Sequence, residues 1–127
     1  MAKTRSGAPQ GMEDNLKKAV TELVVLSLLN EEDMYAGQLL REMEERSDKA
    51  LSIVFPYAAL YRLLEFGHIV EGDRCNAPDG RRRQFYHITD KGRAHLKALL
   101  PVYHGFVGGV EKILEGGKKP AGTKKEA

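Results

Sequence analysis

Residues 55–95, FPYAALYRLLEFGHIVEGDRCNAPDGRRRQFYHITDKGRAH, decide the fold. Their first part has apolar residues at helical spacing, which predicts a short helix with four inward-facing side chains: Ala59, Leu60, Leu63 and Leu64. Pro56 suits the first position of this helix, because its fixed φ and missing N–H are tolerated there. Gly67 can adopt the left-handed conformation that ends a helix. The stretch therefore opens with a helix that leaves Tyr57 and Arg62 on its other faces.

A two-stranded ribbon with a basic tip follows this helix. Residues 68–71 and 84–88 are predicted strands, and FYHI at residues 85–88 has the alternation of a strand with one buried side. Roughly ten residues join the strands, including the turn region 72–80, so the tip is predicted to be long and mobile. Thr89 can cap the next helix. This order predicts a mainly α fold with a small β-hairpin, namely a winged helix-turn-helix domain followed by a C-terminal helix.

Two further helices are predicted before this stretch. The first has one apolar face formed by five residues at helical spacing: Leu16, Ala19, Val20, Leu23 and Val24. After Val24 the apolar residues of this helix lie on all of its sides. Its second half should therefore be buried on more than one side, either in its own domain or against a partner subunit. Residues 30–33 predict a turn with an N-cap, and a second helix spans about residues 34–46. Residues 47–54 are a connector of open conformation, with Ser52 near the turn before the third helix.

The last helix carries a heptad pattern. Six residues follow each other at spacings of 3, 4, 3, 4 and 3: Leu96, Leu99, Tyr103, Phe106, Val110 and Ile113. This is the seam of a helix that pairs with another helix. Two-fold pairing with a second subunit is the commonest arrangement, so we predict a homodimer; the alternative is a helix that folds back onto its own domain. Pro101 should kink or break this helix, because it removes a hydrogen bond to the carbonyl of Lys97.

The charge is unevenly distributed along the chain. The net charge is +2, with +2 in residues 1–11 and +3 in residues 118–127, which leaves −3 for the 106 residues between them. We therefore predict four segments: a flexible arm (1–11), a winged-helix domain (12–95), a dimerisation helix (96–115) and a disordered basic tail (116–127). Any nucleic acid must bind a local patch, and residues 74–97 supply one, with seven cations against two anions.

Three arginines stand together in that patch, Arg81, Arg82 and Arg83. We predict that they contact phosphates, and the alternative is a solvated turn. Because side chains alternate along a strand, the three cannot all face one way, and one or two of them should make most of the contact.

Other classes of protein receive little support. The sequence has no apolar run long enough to span a membrane, no signal-peptide pattern, and a single cysteine, so we expect a cytoplasmic protein. The four histidines lack metal-ligand spacing, and no catalytic arrangement or phosphate-binding glycine loop is evident. We therefore expect no metal, no cofactor and no enzymatic activity. Cys75 lies beside Arg74, where it is either a redox-sensitive thiol or a passive exposed one.

Two motifs resemble the PadR family of bacterial transcriptional regulators, in its short form with one C-terminal helix. The first is YAALYRL at residues 57–63 with GHI at 67–69, and the second is the three arginines followed by YHITDKGR at residues 86–93. The resemblance covers about residues 16–100. It implies a homodimeric winged-helix repressor that binds double-stranded DNA. In such a repressor the recognition helix enters the major groove, and the wing contacts the backbone or the minor groove. Some members of the family respond to phenolic acids or other flat hydrophobic compounds bound near the dimer interface, so the resemblance allows an effector of this kind.

This sequence departs from the family pattern at Ala58, where the family has proline, and it lacks the tryptophan that the short form uses for ligands. Tyr103 and Phe106 are therefore the predicted effector contacts. The predicted DNA contacts are six residues: Ser52, Tyr57, Arg62, Arg81, Arg82 and Arg83. For Tyr57 the alternative is a packing role, and for Arg62 it is an ion pair with Glu65 or Glu71. The recognition helix offers few hydrogen-bonding groups for base edges, so the alternative function is a winged-helix module that binds another protein.

Overall fold

The structure, a computed structural model, describes residues 8–53 and 57–116. Its elements in chain order are α1 (Pro9–Leu29), β1 (Met34–Tyr35), α2 (Ala36–Arg46), α3 (Tyr57–Glu65), β2 (Ile69–Asn76), β3 (Arg82–Ile88) and α4 (Asp90–Leu114). The chain divides into two compact units after Leu96. The first holds α1 to β3 and the start of α4, and the second holds the rest of α4. The mainly α winged-helix fold predicted from the sequence is confirmed.

Helix α1 begins earlier than expected. Residues 9–11, which the sequence analysis assigned to the flexible arm, are helical, because Pro9 occupies the first turn, where proline is favoured. None of the five residues of the predicted face is fully buried: Leu16 and Ala19 are exposed, and Val20, Leu23 and Val24 are half-buried. Burial concentrates in the second half of the helix, where apolar residues surround it: Val25, Leu26, Leu28 and Leu29. This half packs against α2, α3 and β3 and anchors the first unit.

A short strand replaces the expected start of the second helix. Met34 and Tyr35 pair antiparallel with Tyr86 and Phe85, so the sheet has three strands in the order β1-β3-β2. Helix α2 begins only at Ala36, and no side chain caps it. The predicted N-cap in residues 30–33 is therefore wrong. Strand pairing across the fold decides the conformation here, and two residues are too few to display a strand period.

The wing is longer and its tip shorter than predicted. The β2–β3 ladder extends from Ile69 opposite Ile88 to Asn76 opposite Arg82, with an irregularity between Glu71 and Arg74. Only residues 77–81 connect the strands, so the expectation of a connection of about ten residues is wrong. The turn-like composition of residues 72–76 misled the prediction, since a bulge lets the ladder continue through them.

The wing turn is closed by backbone hydrogen bonds. The N–H of Ala77 donates to the carbonyl of Arg81 at 2.8 Å, and the N–H of Gly80 donates to the carbonyl of Ala77, also at 2.8 Å. Gly80 has a φ of 84°, which favours glycine at this position. The turn therefore holds the arginines that follow it close to the ladder.

Helix α3 and strand β3 complete the core. Ala59, Leu60 and Leu63 are buried on α3, and Leu64 is half-buried, as the helical spacing predicted. On β3, Tyr86 and Ile88 are buried while His87 is exposed, which confirms the predicted alternation. The expected helix start at Pro56 lies outside the described residues.

The first turn of α4 is fixed against the ends of α3 and β2. The hydroxyl of Thr89 accepts the N–H of Gly92 at 3.0 Å, which confirms the predicted cap, and it donates to the carbonyl of Gly67 at 2.7 Å. A Cβ atom on Gly92 would lie 2.0 Å from the carbonyl oxygen of His68. Only glycine therefore allows the helix to approach this closely.

The second unit is the remainder of α4. The helix continues through Pro101. The predicted kink or break at this residue is therefore not a break. Its apolar residues are largely exposed in the single chain, with Phe106 at 70% and Ile113 at 77%. Among the described residues, no helix is both long and apolar enough to cross a membrane.

Candidate nucleic-acid interface

The exposed face of α3 is aromatic. Tyr57 is 43% exposed and Tyr61 is 64% exposed, and their ring centroids lie 6.3 Å apart one helical turn from each other. Both tyrosines lie on the outer side of the helix because the apolar side, which includes Leu60, faces the core. The surface that a winged helix turns toward a groove is thus lined here by two tyrosines.

The cation of this helix has a partner that the sequence did not indicate. The Arg62 guanidinium forms an ion pair with Glu22 of α1, instead of with Glu65 or Glu71. Packing of α1 against α3 brings the two side chains together, and sequence separation hides such a contact. Arg62 is consequently tied to the scaffold, although more than half of its side chain is exposed.

The wing tip presents two arginines without carboxylate partners. Arg81 and Arg82 are exposed, and no residue in the described part of the chain forms an ion pair with either side chain. The backbone N–H of Arg81 donates to the carboxylate of Asp79 at 2.9 Å, which fixes the start of the strand. These two guanidinium groups are the cations of the wing that are most available to a phosphate.

Arg83 faces a different environment from its neighbour Arg82. Its guanidinium lies 2.7 Å from the carboxylate of Asp79 and 5.5 Å from the centre of the Tyr35 ring. The hydrogen bond from Arg83 holds the pKa of Asp79 below its ordinary value, and the same bond raises the pKa of Arg83. The expectation that the three arginines cannot face one way is therefore confirmed.

Tyr35 is the residue that the sequence analysis missed. Its side chain is buried, and its ring meets Phe85 edge-on at 5.3 Å. Arg41 of α2 donates a hydrogen bond to the Tyr35 hydroxyl at 3.2 Å. Tyr35 thus joins α2 to the wing through two guanidinium groups. The pairing of β1 with β3 creates this cluster, and no local pattern in the sequence marks it.

The remaining predicted site residues are placed separately. Ser52 is exposed in the connector between α2 and α3. Near its start, this connector contains two non-glycine residues of positive φ, Asp48 and Lys49. Phe55 and Pro56 lie outside the described residues. Leu96 is buried with only 7% exposure, so little of its side chain remains for a partner subunit.

The rest of the predicted seam lies in the second unit. Leu99 is half-buried, and four other residues are exposed to different degrees: Tyr103 (38%), Phe106 (70%), Val110 (37%) and Ile113 (77%). Among them are both predicted effector contacts. The rings of Tyr103 and His104 meet edge-on at 5.2 Å.

Other reactive side chains form no further site. No group of three or more metal-ligating side chains occurs in residues 8–53 and 57–116. Cys75 is an exposed free thiol opposite Arg83 in the wing ladder. His68 and His95 stack with ring centroids 4.2 Å apart, and burial, followed by the nearby His95, lowers the pKa of His68.

Comparison with known proteins agrees with this architecture. The family model of PadR-like transcriptional regulators matches residues 25–98. A transcriptional regulator from Clostridium thermocellum superposes with a TM-score of 0.65 at 23% identity, covering 77% of this chain and 93% of that one. A PadR-like transcriptional regulator from Bacillus cereus superposes with a TM-score of 0.64 at 24% identity, covering 82% and 99%. An uncharacterized protein from Lysinibacillus sphaericus is 28% identical over 78 residues, which are 61% of this chain and 72% of that protein.

The family model covers more than half of the chain, and the residues it covers include α2, α3, the wing and the first turns of α4. The solved structures share the fold with this chain over at least three quarters of its length. The chain therefore belongs to the PadR-like family of transcriptional regulators, and it is a DNA-binding winged-helix regulator.

Proposed function

We propose that this regulator is a homodimeric repressor that binds a specific double-stranded DNA site. In this proposal α3 enters the major groove with Tyr57 and Tyr61 toward the bases, and the wing rests on flanking phosphates through Arg81 and Arg82. Ser52 adds a hydrogen-bonding group beside the groove. Transcription is blocked because the bound dimer covers the site.

One observation carries the DNA-binding part of the proposal. The wing tip holds two exposed arginines, Arg81 and Arg82, with no ion-pair partner in the described part of the chain, while Arg83 forms an ion pair with Asp79. Phosphate contacts supply most of the sequence-independent affinity for DNA, and unpaired guanidinium groups form them without first breaking an ion pair. The wing is thus the part of the described chain best suited to hold a DNA backbone.

The exposed apolar residues of the second unit support the dimer. Phe106 and Ile113 belong to the heptad seam and are at least 70% exposed in the single chain. Such residues are stabilised when a second helix covers them, and two-fold symmetry lets the same seam serve both subunits. Leu99, Tyr103 and Val110 lie on the same seam.

A small hydrophobic or aromatic effector fits the same region. Tyr103 and Phe106 are the aromatic residues of the seam, and aromatic rings are common in sites for flat ligands. An effector that inserts between paired helices changes their spacing, and with it the distance between the two recognition helices. Release from DNA follows from that change.

The rival function is a winged-helix module that binds another protein. The observation in its favour is that the cation of α3, Arg62, is held by Glu22, while two tyrosines, Tyr57 and Tyr61, are exposed on the same helix. Tyrosine is enriched at protein–protein interfaces. In this case Tyr57→Ala abolishes capture of the partner, and affinity for any DNA stays negligible.

The experiment that tests the proposal measures binding to mixed genomic duplex fragments over a series of salt concentrations, with the mass in solution determined by light scattering. A dimer that enriches one palindromic fragment at physiological salt supports the proposal. A reporter gene placed behind that fragment then tests repression. Binding that is blind to sequence and vanishes near physiological salt contradicts it and favours the rival function.

A further inference from the structure

Two guanidinium groups from different elements meet at the ring of Tyr35. The Arg41 guanidinium lies 5.8 Å from the ring centre and the Arg83 guanidinium lies 5.5 Å from it. Both distances are in the range of cation–π attraction, and the Tyr35 hydroxyl also accepts a hydrogen bond from Arg41. Tyr35 itself is buried. The ring therefore holds two positive charges in place on a rigid support.

The positive charge of this cluster is only partly neutralised. In the described part of the chain, Asp79 is the one carboxylate within ion-pair distance of either guanidinium, and it contacts Arg83. Glu45, one turn away on α2, and Asp79 also attract Arg41 without forming an ion pair with it. The Nε atom of Arg83 is buried and has no hydrogen-bond partner among the described residues. The cluster thus keeps donor groups that Asp79 does not satisfy.

The cluster joins the wing to α2. Arg83 belongs to β3, directly after the exposed Arg82 of the wing tip, and Arg41 belongs to α2. Because the Tyr35 ring holds both guanidinium groups, a DNA backbone that rests on the wing beside Arg83 also comes close to Arg41. Planar guanidinium groups form paired hydrogen bonds with phosphate oxygens, which a lysine cannot do.

We propose that Arg41, Arg83 and Tyr35 form a binding site for one backbone phosphodiester of DNA, and that Asp79 occupies Arg83 until this phosphate displaces it. The inference rests on the proposed DNA-binding function and extends it in two ways. It adds a contact from α2, Arg41, that lies outside the arginine run of the wing. It also assigns Asp79 an opposing role, because a phosphate must break the Asp79–Arg83 ion pair before it binds.

The opposing role has a consequence for affinity. Phosphate contacts strengthen binding to every sequence equally, so an ion pair that competes with one of them lowers the affinity for specific and non-specific DNA by the same factor. Asp79 therefore weakens binding to all DNA and leaves the ratio of specific to non-specific binding unchanged.

Two variants test the site with a mixed-sequence DNA duplex as the probe. Arg41→Gln should reduce the slope of log affinity against log salt by about 0.9 per bound protomer, the value for one lost phosphate contact. Asp79→Asn keeps an oxygen for the Arg81 N–H but loses its charge, and it should tighten binding by about 2- to 5-fold per protomer, the range of one exposed ion pair.

Arg46→Gln is the matched control. It removes the same charge from the same helix, but the Arg46 guanidinium is held by Glu31 and Glu42. If Arg41→Gln changes the slope no more than Arg46→Gln, or if Asp79→Asn does not tighten binding, the inference is overturned. Circular dichroism and the thermal midpoint check each fold. If Arg41→Gln unfolds, Arg41→Lys replaces it; this variant keeps the charge without the fork, so it should weaken binding at every salt concentration and leave the slope unchanged.

Two further comparisons distinguish failure of the proposed site from failure of the proposed function, and DNA binding from binding of a free anion. If Arg81→Ala with Arg82→Ala weakens binding while Arg41→Gln does not, the site is wrong and the proposed function stands. If none of these variants affects binding, the proposed function has failed. Addition of inorganic phosphate at constant ionic strength should leave the thermal midpoint of the wild-type protein unchanged. If phosphate raises this midpoint and Arg41→Gln abolishes the rise, the site binds a free anion and the assignment to DNA is overturned.

Discussion

Replacement of both Arg81 and Arg82 by alanine should flatten the salt dependence of DNA binding while the protein stays folded. Both side chains are exposed at the wing tip and have no ion-pair partner in the described part of the chain. Their removal leaves no buried charge behind, and the turn is closed by backbone hydrogen bonds that alanine retains. The expected loss is therefore one of DNA contacts and not of stability.

The size of the effect follows from the number of phosphates released. Each neutralised phosphate contributes about 0.9 to the slope of log affinity against log salt, so two arginines contribute about 1.8 per protomer and about 3.6 per dimer. Between about 50 and 200 mM salt, the wild-type protein should then lose roughly 100-fold more affinity than the variant. The affinities of the two proteins should converge as salt rises.

Fluorescence anisotropy with a labelled duplex at five or more salt concentrations measures this slope. The matched control is Lys17→Ala with Lys18→Ala, which removes two adjacent cations from α1 and should leave the slope unchanged. An equal loss of slope in both double variants would mean that net charge alone attracts the DNA. A slope unaffected by the arginine substitutions would refute the assignment of the wing to the backbone.

Three other predictions follow from the contacts described above. Gly92→Ala should lower the free energy of unfolding by about 3 kcal/mol, because the added Cβ would lie 2.0 Å from the His68 carbonyl oxygen. Urea unfolding measures this change. The control is Gly108→Ala, which should not destabilise the protein because nothing lies within 4 Å of the added Cβ. Because burial and the stacked His95 lower the pKa of His68 from 6.5, the unfolded chain binds the proton more tightly, so the thermal midpoint should fall as the pH drops below about 6.5 and through the lowered pKa. In His68→Phe this part of the pH dependence should disappear; an unchanged profile would show that other groups cause it. Phe106→Glu should convert a dimer into monomers in light scattering, since it places a charge in the proposed seam; a dimer that survives this change would place the interface elsewhere.

Several elements of the fold could be predicted because their signals are local. The apolar spacing of α3 identified Ala59, Leu60 and Leu63 as buried, and the alternation in β3 identified Tyr86 and Ile88. Thr89 stands three residues before Gly92 and caps α4 as expected. In each case the pattern has the period of a helix, a strand or a cap, so a few consecutive residues contain it.

The errors have an equally physical origin. Strand β1 has two residues and no period, and its conformation depends on hydrogen bonds to β3. Residues 74–76 lie in a stretch with the composition of a turn but are paired in the ladder, because pairing with β3 outweighs their weak local preference. The ion pair between Arg62 and Glu22 depends on how α1 packs on α3.

The sequence by itself thus determined the order of helices and wing, the buried face of α3, the capped start of α4 and the presence of an arginine cluster. Only the tertiary structure decided which of those arginines are available. Arg81 and Arg82 form no ion pair with any of the described residues, while Arg83 is held by Asp79 and lies over Tyr35, which also holds Arg41. The reason is that a periodic pattern is contained in a few neighbouring residues. Whether a charged side chain is available to a ligand depends instead on the partners that packing brings from distant parts of the chain.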